Sequence, residues 1–122
     1  MIVPPGTIVW RDLTVADAGT LKEFYSAVVG WNHEDVGMGD YADYNMFPPG
    51  SDEPVAGICH QKGPNANLPQ HWIIYVQVGD IDQSVAACEE LGGTIIDGPR
   101  PMGEHRFCLI QDPAGAYMGL VE

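Results

Sequence analysis

Carboxylates, imidazoles and phenols are the side chains in this 122-residue sequence that could move a proton near neutral pH. Asp12, His71 and Tyr75 form the candidate catalytic trio, each in or beside a stretch with strand-like alternation. Asp12 with His71 makes an acid–base pair in which the imidazole carries the proton, and Tyr75 adds a phenol. None of His33, His60, His71 and His105 stands in HxH or HxxxH spacing, so no metal-ligand set is predicted. The three cysteines, Cys59, Cys88 and Cys108, are an odd number without a CxxC pair. That pattern predicts buried thiols in a reducing cytoplasm. The sequence holds no GxSxG elbow, no phosphate-cradling glycine loop and no dinucleotide fingerprint.

Those residues need elements to position them, and the chain repeats its punctuation. Val15 to Gly30 and Val78 to Gly93 share one plan: an Asp (Asp17, Asp80), a helix-compatible run, then a Gly. Ala56-Gly57-Ile58 matches Met118-Gly119-Leu120 at nearly the same spacing, close to half the chain. The first module starts with a strand over Thr7–Thr14, after which Asp17 caps a helix. Leu21, Phe24, Tyr25 and Val28 give that helix one apolar face, and Gly30 ends it. Extended pieces follow around Trp31–Val36, Ala42–Phe47 and Val55–His60. In the second module a strand over Gln70–Val78 precedes a helix capped by Asp80 or Asp82. Strands over Thr94–Asp97, Arg106–Gln111 and Tyr117–Val121 complete it. The reading is a single α+β domain over 1–122, built of tandem βαβββ modules at about 6–60 and 70–122 with a linker at 61–69.

Charge narrows the partners. Five Lys and Arg against 17 Asp and Glu give a net charge of −12, which repels nucleic acid and anionic membranes. The excess either keeps the surface soluble or favours a cationic ligand. The N-terminal residues lack a basic segment and a long apolar run, so no signal peptide or membrane span is expected.

Phe24-Tyr25 followed by Val29-Gly30-Trp31, then Leu91-Gly92-Gly93 and Asp112-Pro113-Ala114-Gly115, stand in the order and spacing of a known superfamily. The chain resembles the vicinal-oxygen-chelate proteins, which include glyoxalase I, extradiol dioxygenases and bleomycin-resistance proteins, from about Gly6 to Glu122. The resemblance implies modules curled into an incomplete barrel around a cleft, and commonly a homodimer. Metal-dependent relatives carry four His, Glu or Gln ligands on the first and last strands of each module. The internal repeat puts Trp10, Ile73, Gly57 and Gly119 at those positions, and none has a side chain that binds a cation. No metal and no cofactor are therefore expected.

With Trp10 inward, alternation brings Asp12 to the same face, and on the equivalent strand His71, Ile73, Tyr75 and Gln77. Gly57 and Cys59, and Tyr117, Gly119 and Val121, join them from the last strands. The predicted ligand-binding set is thus Trp10, Asp12, Gly57, His71, Ile73, Tyr75, Gln77, Tyr117 and Gly119, with the glycines leaving room for a planar guest. Three functions remain open. One is binding of a small organic molecule, cationic or aromatic, without a metal. Another is a metal-free lyase or isomerase using Asp12, His71 and Tyr75. The third is a metal-dependent glyoxalase.

Overall fold

A computed structural model describes residues 3–122. Among them the order is β1 (Ile8–Val15), α1 (Ala18–Val29), β2 (Asn32–Gly37), β3 (Ala42–Phe47) and β4 (Ala56–His60). After a 3-10 turn at Gly63–Asn65 come β5 (Trp72–Gln77), α2 (Ile81–Glu90), β6 (Thr94–Met102), β7 (His105–Gln111) and β8 (Tyr117–Val121). This is an α+β fold of two βαβββ modules.

The caps explain where the helices start. Asp17 accepts the backbone N–H of Thr20 at 3.1 Å and its hydroxyl at 2.7 Å. Asp80, not Asp82, caps α2, accepting from the Gln83 N–H at 3.1 Å. Asp82 instead takes the Arg106 guanidinium at 3.0 and 3.1 Å. Gly30 closes α1 at φ 80°, a conformation that costs glycine least.

The chain divides into two compact units. One is Arg11–Trp72; the other joins Met1–Trp10 to Ile73–Glu122. In the first, β4 lies between β3, antiparallel, and β1, parallel, with Asp12 opposite Gly57. Its core is Leu13, Val15, Ala18, Met46, Ala56 and Ile58, against which Leu21 and Tyr25 pack. The sequence predicts one apolar face on α1, but Phe24 and Val28 stay 53% and 62% exposed. Only the Leu21–Tyr25 side of that stripe meets the sheet.

In the second unit the strand order is β5-β8-β7-β6. β5 and β8 are parallel, with Tyr75 opposite Gly119 and Gln77 opposite Val121. Ile81 of α2 buries itself against Cys108 and Leu120, and each such side chain contributes roughly 1.5–3 kcal/mol. β6 runs to Met102, past the Asp97 at which the sequence predicts it to stop. β6 continues through Pro99 and Pro101 because it lies at the sheet edge, where a missing N–H is tolerated. Register shifts between Ile95 and Arg100 take up the irregularity.

Among the described residues no helix is long and apolar enough to cross a membrane.

Candidate functional site

In the unit formed by the segments up to Trp10 and from Ile73 onward, β5 alternates as its pattern demands. Ile73 and Tyr75 are buried and Gln77 is half-buried on one face. The Tyr75 ring lies over Gly119. A Cβ built there would stand 2.7 Å from Tyr75 Cδ2 and 2.9 Å from Cε2. The room left by this glycine is thus filled by tyrosine, which corrects the expectation that it leaves space for a guest. Tyr75 stacks at a tilt on Phe107 of β7, centroids 5.6 Å apart. The Arg100 guanidinium sits 5.0 Å from the Phe107 ring centroid. Asp97 fixes that guanidinium through hydrogen bonds of 3.1, 3.2 and 3.0 Å.

Beside this stack lies a pocket of about 310 Å³. Val9 and Trp10 of β1 form one wall, Tyr75 and Gln77 of β5 another, with Val121 of β8 behind them. Met102 and His105, from the β6–β7 hairpin, and Val3, ahead of β1, complete the lining. The start of β1 is held here by backbone bonds: Gln77 N–H donates to Thr7 O at 2.9 Å and Gly6 N–H to Gln77 O at 2.8 Å. The Gln77 amide donates to Val78 O at 3.2 Å, and His105 Nδ1 lies 3.3 Å from Glu122 O. The wall is mostly apolar and aromatic with two convergent polar groups, the ordinary make-up of a small-molecule site.

Of the sequence-predicted residues, Trp10, Tyr75 and Gln77 line this pocket together. Ile73 is buried on the same strand face, and Tyr117 is half-buried on β8. Asp12, Gly57 and His71 belong to the other unit. There Asp12 is half-buried on β1 opposite the buried Gly57, and His71 is exposed at a bend before β5. Met102 and His105 were not foreseen as pocket residues. His105 reads as part of a Gly-Glu-His-Arg loop, and only the hairpin geometry brings it back over β5 and β8.

The unit Arg11–Trp72 gathers a second group of titratable side chains. Buried Asp43 accepts the His60 backbone N–H at 2.8 Å. His60 Nδ1 stands 2.9 Å from Ala42 O and 3.5 Å from Asp43 Oδ1. Burial, then the charges of Asp12 and Asp43, push the Cys59 thiol far above the ordinary range. Burial also raises Cys88, with Glu89 adding to it. Cys108 goes from 9.0 to about 11, through burial first and then Cys88 and Asp97. A thiol held protonated is a poor nucleophile, so covalent cysteine chemistry is disfavoured. Among the described residues no group of three or more His, Cys, Asp or Glu could hold a metal ion.

The thiols predict an alkaline limb in stability. The unfolded chain loses the Cys108 proton near 9.0 and the folded chain near 11. Stability is therefore full below the lower value and falls as pH rises through the upper one. Urea midpoints between pH 8 and 11 check this. Cys108→Ala lowers the midpoint at pH 8 by leaving a void, but flattens the slope above it. An unchanged slope contradicts the assignment.

A family model described as a glyoxalase-like domain matches residues 8–121. CFP32 of Mycobacterium tuberculosis (strain CDC 1551 / Oshkosh), provisionally named a glyoxylase, is 30% identical over 118 residues, covering 96% of this chain and 44% of its own. The anthracycline biosynthesis protein DauV of Streptomyces sp. (strain C5) is 32% identical over 120 residues, covering 97% of this chain and 42% of its own. The chain thus spans under half the length of the curated relatives it matches. Among solved structures, a glyoxalase/bleomycin resistance protein/dioxygenase superfamily member from Vibrio splendidus 12B01 superposes with TM-score 0.59 at 15% identity, covering 94% of this chain and 98% of that one.

Proposed function

The chain belongs to the glyoxalase-like family, and from that premise we propose that it binds a small, uncharged aromatic molecule in the Trp10–Tyr75–Gln77 pocket, without a metal. The pocket itself carries the reading: about 310 Å³, with aromatic walls. Such a volume suits a compound of two or three fused rings. Among the described lining residues none is a carboxylate that would pair with a cation. That favours an aromatic ligand over a cationic one and leaves the acidic excess to solubility. The relation to a protein named for anthracycline biosynthesis fits an aromatic ligand. Trp10, Gly57, Ile73 and Gly119 offer no donor side chain for a cation, which supports the metal-free part.

Tryptophan emission tests the proposal. Trp31 and Trp72 belong to a separate cluster, their rings 6.0 Å apart and each beside Tyr25. Trp10 is the reporter in the pocket wall. Titration with a panel of naphthalenes, anthraquinones and an anthracyclinone is expected to quench emission saturably. The saturable component should vanish in Trp10→Phe and persist in Trp72→Phe. No saturable quenching by any compound, or quenching indifferent to Trp10, overturns the site. Stoichiometric zinc, nickel or manganese in the purified protein overturns the metal-free reading.

A further inference from the structure

The polar edge of the pocket says more about the ligand than its volume does. Two polar side chains reach the lining from different elements, Gln77 from β5 and His105 from the start of β7. Each is already engaged on one side by a backbone oxygen. The Gln77 amide nitrogen donates one N–H to Val78 O at 3.2 Å, so the amide keeps its oxygen as an acceptor and one further N–H. His105 Nδ1 lies 3.3 Å from Glu122 O. That oxygen only accepts, so Nδ1 carries the proton, and in the neutral ring Nε2 is then an acceptor. Each of the two polar groups thus offers at least one acceptor, His105 Nε2 and Gln77 Oε1, to whatever lies against the Trp10 and Tyr75 rings.

No Lys or Arg is among the described lining residues. The nearby Arg106 is engaged with Asp82 at 3.0 Å and with Glu122 at 3.8 Å. An anionic ligand would therefore enter a chain of net charge −12 without a cation to receive it. Resting on the pocket assignment above, we propose that the site selects a neutral planar aromatic bearing a phenolic hydroxyl, which donates to His105 Nε2 or Gln77 Oε1. The aromatic walls supply ring contact and most of the affinity, and the two acceptors supply the selection.

Three isosteric probes separate this inference from the pocket assignment: 2-naphthol, 2-methoxynaphthalene and 2-naphthoate. Their affinities are measured by titration calorimetry at pH 8 on the full chain. The hydroxyl compound is expected to bind about tenfold more tightly than the methyl ether, the worth of one well-placed hydrogen bond. The carboxylate should bind most weakly. The preference should shrink to about twofold or less in the Gln77→Leu/His105→Ala double variant. Equal binding of naphthol and its ether, a preference that survives the double variant, or tightest binding by naphthoate overturns donor selection. In those cases ether binding that is lost in Trp10→Ala still leaves the pocket standing. Failure of all three compounds to bind overturns the pocket and the selection together.

Discussion

Gly119→Ala is expected to destabilise the protein and to abolish ligand binding in the pocket. Two opposing effects meet at this position. Replacing a glycine in an ordinary backbone conformation stabilises by roughly 0.4–1 kcal/mol, because the unfolded chain loses freedom. Against this, the new methyl would stand 2.7 Å from Tyr75 Cδ2, inside van der Waals contact. Overpacking of this kind costs roughly 1–3 kcal/mol, so the clash wins. Tyr75 is 3% exposed and backed by Phe107, so its ring has little room to retreat except toward the pocket. A lowered melting temperature together with lost quenching of Trp10 is the expected result. Gly119→Ala/Tyr75→Leu should recover part of the lost stability, since the smaller side chain relieves the contact; strict additivity of the two changes would refute the steric account.

That steric relation marks the boundary of what the sequence reveals. The repeated Asp-to-Gly punctuation is local chemistry, a carboxylate cap and a left-handed stop, so Asp17, Asp80 and Gly30 are legible without any tertiary information. Alternation along β5 likewise puts Ile73, Tyr75 and Gln77 on one face. The occupant of the space beside Gly119 is not legible. It depends on the β5–β8 register, which pairs that glycine with Tyr75. Met102 and His105 escaped for a related reason. Their place over the pocket depends on β6 continuing through two prolines as an edge strand, and edge position is known only once the strand order is. Of the acid–base trio, Tyr75 lines the pocket, and Asp12 and His71 belong to the unit Arg11–Trp72.

Phe107→Ala is expected to be the most destabilising single truncation near the site, by about 3–5 kcal/mol. Phe107 is 1% exposed and sits between two partners, the Tyr75 ring at 5.6 Å and the Arg100 guanidinium at 5.0 Å. Removing the ring leaves a cavity under Tyr75 and strips the apolar cover from the Arg100–Asp97 pair, whose side chains are only 24% and 15% exposed. That pair keeps its own hydrogen bonds, so most of the loss should come from the void and less from the cation–π contact. Phe107→Leu separates the two contributions, because it refills most of the volume but offers no π face. A urea midpoint for Phe107→Leu close to wild type assigns the cost to packing; one close to Phe107→Ala assigns it to the ring's contact with Arg100. Phe107 does not line the pocket, yet it holds Tyr75 in the pocket wall. Phe107→Leu is therefore expected to weaken aromatic ligands severalfold while the protein remains folded, through a ring it supports and not through one it supplies.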